Sequence, residues 1–355
     1  MAWVSGADGS QPGAQSEETP QRSVVVTGAA GFIGSHLVEH LVAQGHTVTG
    51  IDDFDTWYDP AAKRANLAAA LDAERFSLIE GDLSGVGDRG LGADRLIDLF
   101  TDADIVFHLA GRPGVQDSWG AGFADYVERN VLLTQRIYEA ALAAGAGRVV
   151  YASSSSVYGS SAGADGARQT APVSPYGVSK LAGEHLAGVY RERGLSVTSL
   201  RYFTVYGPRQ RPDMAMHRLF RATMDDGPTF VLRGDGTQRR EFTHVSDVVA
   251  ATALAGTRAE AAEAVIDIGG GSSVSLAEVI DLVEQTAGAP VRRRSLPTPA
   301  GDPPATVAEH DKARHLLAWT PTTDLADGLA SQWAWHRQVA TAASSASSDT
   351  VVVGD

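Results

Sequence analysis

Apolar and polar positions along the first half of the chain switch repeatedly between two rhythms. Short apolar runs at Val24–Thr27, Thr47–Ile51, Phe76–Glu80, Ile105–Leu109, Arg148–Ser153 and Ser196–Arg201 read as strands. Ala/Leu-rich stretches of helical period lie between them, clearest at Phe123–Ala144 and Tyr176–Arg193. Such βαβ alternation predicts an α/β fold with a doubly wound parallel sheet and a ligand at the carboxyl ends of its strands. After about Tyr202 the rhythm loosens, and Pro208, Pro212, Pro228, Pro297, Pro299, Pro303 and Pro304 break the chain into loops and short elements. The expected organisation is a sheet-based domain over 23–201 and a smaller, mixed α/β C-terminal substrate domain over 202–340. Polar or Ser/Ala-rich tails at 1–22 and 341–355 read as disordered.

The first apolar run, Val24-Val-Val-Thr, passes directly into Gly28-Ala-Ala-Gly31-Phe-Ile-Gly34, and the helical pattern Ser35-His-Leu-Val-Glu-His-Leu-Val follows at once. That order predicts a dinucleotide whose pyrophosphate rests on the helix N-terminus, in contact with Phe32 and Ile33 as well as the glycines. Gly28 makes the tight turn, Gly31 admits the phosphates without a Cβ in the way, and Gly34 lets the helix pack closely on its strand. By itself the triplet also fits an ordinary βα loop. The second apolar run, however, ends in Asp52-Asp53, about twenty residues on, where an acidic side chain accepts hydrogen bonds from the adenosine ribose. Two carboxylates there repel a 2′-phosphate, which favours NAD over NADP; a strand-ending turn is the other reading of Asp52. The first domain is therefore expected to be of Rossmann type.

Composition narrows the remaining classes. Of the 355 residues 43% are hydrophobic, an ordinary share for a globular protein, and no apolar run reaches the roughly eighteen residues that span a membrane. Met1 to Gln21 has neither the basic nor the apolar region of a signal peptide. The absence of cysteine excludes disulfides, thiolate chemistry and Cys-based metal sites, so the expectation is a cytoplasmic protein. A net charge of −14 argues against nucleic acid as a partner, and the one basic run, Arg292–Arg294, reads as a solvated face. The histidines lack metal spacing; His36 and His40, four apart on the first helix, read as surface or packing residues, and no metal is expected.

Two segments carry chemistry. Tyr151-Ala-Ser-Ser-Ser-Ser-Val-Tyr-Gly159 follows the fifth strand, so its serines fall at the carboxyl end of the sheet, beside the place of a nicotinamide ring. Tyr176-Gly-Val-Ser-Lys180 sets a phenol and an ammonium four residues apart on one face of a helix, where the positive charge lowers the phenol pKa toward neutrality. Tyr176 then serves as a base toward a sugar hydroxyl, with a serine sharing the proton. Tyr-x-x-x-Lys alone is common on helices; its weight comes from following a dinucleotide turn, a ribose carboxylate and a serine cluster in that order.

With these motifs the chain resembles the extended short-chain dehydrogenase/reductase family, and within it the nucleotide-sugar epimerases, dehydratases and decarboxylases, over roughly Ser23 to Ala340. The resemblance implies a catalytic triad of Ser154, Tyr176 and Lys180, contacts from Asp82 and Leu83 to the adenine, and a cofactor wall at Leu109 and Ala110. It also implies a bound NAD that takes hydride from sugar C4 and later returns it. Family dehydratases carry Asp-Glu where this chain has Ser155 and Ser156, and serines cannot supply that acid and base. UDP-glucuronate decarboxylases carry a Glu at Ser156, which counts against decarboxylation.

The segment Arg201-Tyr-Phe-Thr-Val-Tyr-Gly-Pro-Arg-Gln-Arg211-Pro-Asp-Met-Ala215 looks like the stretch of UDP-glucuronate 4-epimerases in which an arginine meets the sugar carboxylate. By that match Arg211 holds the carboxylate and Thr204 faces the sugar; a salt-bridging loop residue is the other reading of Arg211. Asp55-Thr-Trp-Tyr-Asp-Pro60, Gly301-Asp-Pro-Pro-Ala-Thr306 and Trp319-Thr-Pro-Thr-Thr-Asp324 resemble the same enzymes. Arg240 matches the family's diphosphate-binding arginine, and Arg112 either contacts substrate or braces its loop. The expected function is an NAD-dependent UDP-sugar 4-epimerase acting on UDP-glucuronate. A UDP-glucuronate decarboxylase, a UDP-glucose 4-epimerase and a catalytically silent NAD-binding regulator are the alternatives. Apolar residues around much of the circumference of Phe123–Ala144 and Tyr176–Arg193 suggest a homodimer joined through these helices.

Overall fold

The computed structural model describes residues 20–85, 89–159, 169–297 and 305–349, with side chains as far as residue 341. Most of the expected N-terminal tail, and residues 350–355 of the C-terminal one, lie outside the described residues. Six strands form where the apolar runs stand: β1 Ser23–Thr27, β2 Thr47–Asp52, β3 Phe76–Glu80, β4 Ile105–His108, β5 Arg148–Ser154 and β6 Val197–Tyr202. All six are parallel, in the order β6-β5-β4-β1-β2-β3, and Val265–Ile268 adds a seventh parallel strand beside β6. The central strands β1, β4 and β5 read as largely apolar runs because the sheet is covered on both faces there. Val24, Val26, Ile105 and Phe107 turn to one side, while Val25, Val106 and Val149 turn to the other.

Helix α1, Phe32–Ala43, and the helix Val245–Thr257 cover the first face. Ala93–Phe100, Leu133–Ala144 and Pro175–Arg191 cover the second. Strand order reverses between β1 and β4, and in such sheets the crevice outside that point holds the ligand. Thr27 pairs with Ile51 on one side and with His108 on the other, so the three strand ends open level with each other into this crevice.

Three expectations meet a different arrangement. The seventh strand and its covering helix come from beyond residue 202: the chain leaves the sheet after β6, builds part of the second unit, and returns. The expected single helix Phe123–Ala144 contains a π-helical turn at Val127–Leu132. The last helix runs Leu325–Asp349, past the point where the C-terminal tail was expected to begin. The second unit has a core of its own around Tyr206, Phe220, Phe230, Ile280 and Leu329. It carries short two- and three-stranded sheets, including Phe230–Arg233 paired with Arg293–Leu296 and Arg239–Glu241 between Ser273–Ser275 and Ala305–Thr306. Among the described residues no helix is long and apolar enough to cross a membrane.

Candidate active site

The glycine turn is shaped by close approaches. Gly28 has φ +71°, and a Cβ there would stand 2.8 Å from the Ala110 nitrogen; at Gly34 a Cβ would stand 2.0 Å from the Gly28 carbonyl oxygen. Only glycine fits either place. No side chain caps α1, which leaves its first N–H groups to a ligand anion. A cavity of about 770 Å³ opens here and extends to the second unit. Gly28, Gly31, Phe32, Ile33, Gly34, Asp52, Asp53, Asp82, Leu83, Leu109 and Ala110 all line it.

The two strand-end carboxylates differ in their company. Asp52 is buried and accepts hydrogen bonds from the backbone N–H groups of Ala30 and Phe54, both at 2.9 Å, tying the glycine turn to the end of β2. Burial pushes its pKa up against the pull of those hydrogen bonds and of Lys63. Asp53 instead pairs with Arg129 at 3.0 Å. A glycine cradle, an uncapped helix end and a buried strand-end carboxylate along one crevice fit NAD.

The catalytic candidates meet at the end of β5. Ser174 caps the helix Pro175–Arg191 by accepting from the Gly177 N–H, and Pro175 starts its first turn, which brings Tyr176 against the serine loop. Ser154 stands beside Tyr176 and pulls its phenol pKa down, and its Oγ accepts from the Ser156 N–H at 3.2 Å. One turn on, Lys180 is buried and its Nζ donates to the Ala152 carbonyl at 2.9 Å. Burial lowers its pKa to about 8. The expectation that Lys180 lowers the Tyr176 pKa does not hold for the protein by itself, since its ammonium is turned onto the Ala152 carbonyl. Burial raises the phenol, opposed by the Ser154 hydrogen bond and the positive charge of Arg211.

A buried polar chain steadies this end of the sheet: Ser153 donates to Glu184, Glu184 accepts from Arg201 at 2.6 and 2.9 Å, and Tyr158 links Arg201 to Asp267. The π-helical turn has a matching task. It points Asn130 inward, where its amide holds both backbone polar groups of Arg112, at 2.7 and 2.9 Å, and donates to Ser179.

The opposite wall comes from the segment after β6. His36 on α1 bonds the Pro208 carbonyl at 2.9 Å, and Arg209 pairs with Glu39 at 2.7 Å, so the loop is docked on α1 and Arg211 enters the cavity. Burial lowers the His36 pKa to about 4, so the ring is neutral and packs, as its sequence position suggested. Arg211 forms a two-point pair with Asp213, Nε to Oδ1 and Nη2 to Oδ2, each 3.0 Å. Thr204, Ser155 and Ser156 line the same space.

Arg112 lines the cavity but is committed to bracing. It pairs with Asp55 at 2.6 Å and with Asp125, and its guanidinium lies 4.5 Å over the Trp57 ring. Arg240 stands apart from the cavity lining, on the strand Arg239–Glu241, where its Nη1 donates to the Arg239 carbonyl. Two arginines that the sequence reading passed over, Arg218 and Arg233, line the cavity instead, from the helix Ala215–Thr223 and the end of Phe230–Arg233. Tyr58 was likewise missed as an individual residue, although its segment had been singled out: it lines the cavity with a buried hydroxyl that has no hydrogen-bond partner among the described residues.

Comparison with known proteins follows the same lines. The model of the NAD dependent epimerase/dehydratase family matches residues 24–269. An uncharacterized UDP-glucose epimerase, YtcB, of Bacillus subtilis is 42% identical over 88% of this chain and 97% of its own. Among solved structures, the UDP-glucuronic acid 4-epimerase of Bacillus cereus in complex with UDP-glucuronic acid and NAD superposes with a TM-score of 0.83 at 39% identity, covering 89% of this chain and 99% of that one. MoeE5, solved with NAD and either UDP-glucuronic acid or UDP-glucose, superposes with a TM-score of 0.77 at 44% and 43% identity, covering 89% and 90% of this chain and 99% of its own.

Proposed function

The chain belongs to the NAD dependent epimerase/dehydratase family, and from that premise we propose that it is a UDP-sugar 4-epimerase that interconverts UDP-glucuronate and UDP-galacturonate through a 4-keto sugar. The observation that carries this reading is a single cavity lined together by Ser154, Tyr176, Lys180 and Arg211. Tyr176, whose phenol pKa the positive nicotinamide would lower when NAD is bound, takes the proton of the sugar 4-hydroxyl, and Ser154 beside it shares that proton. Lys180, one helical turn on, supplies a buried positive charge to the same cavity. NAD, when bound, supplies the hydride acceptor and donor for sugar C4. Arg211 binds the C6 carboxylate and Thr204 faces the sugar ring, so the 4-keto sugar is held while it turns its other face, and Tyr176 returns the proton.

Ser155 and Ser156 put no acid or base beside the sugar, which argues against dehydration and decarboxylation. The intact triad argues against a silent regulator. One observation favours a neutral substrate as a second reading: Arg211 is already charge-compensated by Asp213, and the similar MoeE5 has been solved with both UDP-glucuronic acid and UDP-glucose. The deciding experiment is incubation of the purified protein with UDP-glucuronate, followed by NMR of the products and measurement of CO₂. UDP-galacturonate without comparable CO₂ supports the proposal; CO₂ release at the rate of epimerisation replaces it with the decarboxylase.

Because the cycle is redox-neutral, the cofactor gains nothing by leaving. Denatured protein is expected to release about one NAD per chain; cofactor-free protein whose activity depends on added NADP would overturn this and the argument from Asp52.

The same reading includes a cytoplasmic homodimer. Leu132, Val178 and Val189 are 54%, 46% and 59% exposed on the two helical segments expected to pair, which suits burial against their copies. Light scattering at micromolar concentration is expected to give twice the chain mass, and a monomer's mass would exclude the pairing.

A further inference from the structure

We propose that Asp213 sets the sugar preference of this site: it holds Arg211 by one edge of the guanidinium and compensates its charge, so the pair accepts a neutral hexose as it stands and a uronate only through the free edge. The inference rests on reading Arg211 as the group that meets the sugar carboxylate. Asp213 takes Nε and Nη2, both at 3.0 Å, while Nη1 makes no hydrogen bond among the described residues. The Arg211 side chain is 16% exposed and that of Asp213 is 37%, so the arginine is walled in and the aspartate stands on its open side. Both line the cavity.

A two-point pair fixes the plane of a guanidinium, which presents Nη1 in one direction without further ordering. The same pair brings a second carboxylate close to an incoming one, and like charges a few ångströms apart repel. The other compensated cations of the cavity serve a different end. Lys63, Arg112 and Arg129 pair with Asp53, Asp55 and Asp125, and those contacts bind the loop after β2 to the segment Phe123–Leu132. Asp213 lies two residues from Arg211 in one turn and ties no distant segments together, so its pairing acts on the guanidinium itself. Arg218 and Arg233 have no carboxylate partner among the described residues and leave two uncompensated charges for the phosphates. The charge that Arg211 presents to a sugar carboxylate is therefore set by Asp213.

The test uses the NAD-loaded protein and compares Asp213→Asn, Asp213→Glu and Arg211→Ala with the parent. Binding of UDP-glucuronate, UDP-glucose and UDP is measured by calorimetry, with KM and kcat alongside. Asparagine keeps one acceptor for the guanidinium but removes the charge. Asp213→Asn is expected to improve the binding ratio of UDP-glucuronate to UDP-glucose about tenfold, the scale of one partly exposed charge, with the change in KM rather than kcat. Asp213→Glu, which restores the charge, is expected to return the ratio toward that of the parent. An unchanged ratio in Asp213→Asn, or weaker uronate binding, would overturn the inference and leave Asp213 a merely structural partner. Should Arg211→Ala weaken both sugars alike, the carboxylate reading of Arg211 falls and the inference with it. If Arg211→Ala penalises the uronate alone while Asp213→Asn leaves the ratio unmoved, the inference alone fails.

Discussion

Tyr176→Phe is expected to lower turnover of UDP-glucuronate by roughly a hundredfold or more, the usual scale for loss of a general base, while the protein still carries its NAD. The substitution removes one oxygen from a side chain held in place by the helix it starts and by the edge-on Tyr126 ring 6.1 Å away, so packing is preserved and the proton acceptor is lost. Lys180→Met is expected to cost as much, because it deletes the buried charge of the triad and the hydrogen bond to Ala152. Steady-state rates paired with the NAD content of the purified variants check both. Near-normal turnover in Tyr176→Phe would remove that residue from the mechanism and leave Ser154 without a partner to share its proton.

Arg211→Ala is expected to cost UDP-glucuronate a few kcal/mol of binding or transition-state stabilisation, as the loss of a charge-assisted pair does. The loss should be confined to the uronate, because UDP-glucose presents no charge at C6. Arg211→Lys should recover only part of it, since an ammonium keeps the charge but not the planar fork. The comparison is kcat/KM for the two sugars in each variant, with CO₂ measured in parallel. Equal losses on both sugars would assign Arg211 to structure and favour a neutral-sugar epimerase. CO₂ appearing in Arg211→Ala at the expense of UDP-galacturonate would show that the arginine also restrains the carboxylate from leaving.

The six strands stand where the apolar runs predicted because the central ones, β1, β4 and β5, are buried on both faces, and a strand in that position is largely apolar, which leaves a local mark in the chain. The seventh strand carries no such mark: Val265–Ile268 includes Asp267, buried at 4% exposure and satisfied by Tyr158 and the Glu309 N–H, groups that lie far away in sequence. The π-helical turn was equally invisible, since one widened turn barely changes helical periodicity, and its purpose is the inward aim of Asn130 at Arg112. Arg112 itself left two readings open, and only the positions of Asp55, Asp125 and Trp57 around it select bracing.

The cofactor crevice and the joint placement of Tyr176 and Lys180 were legible because each depends on neighbours within a few residues: a glycine turn must sit on its own strand and helix, and Tyr176 and Lys180 share one helical turn. The charge surrounding those groups was not legible. Asp213 answers Arg211 at short range, but the turn that joins them is shaped by His36 and Arg209 docking its loop on α1. Arg218 and Arg233 line the cavity from the second unit, which folds a core of its own. Backbone turns and helical spacing are local and are written in the chain; which charges meet across a cavity depends on where distant elements pack, and that the tertiary structure alone decides.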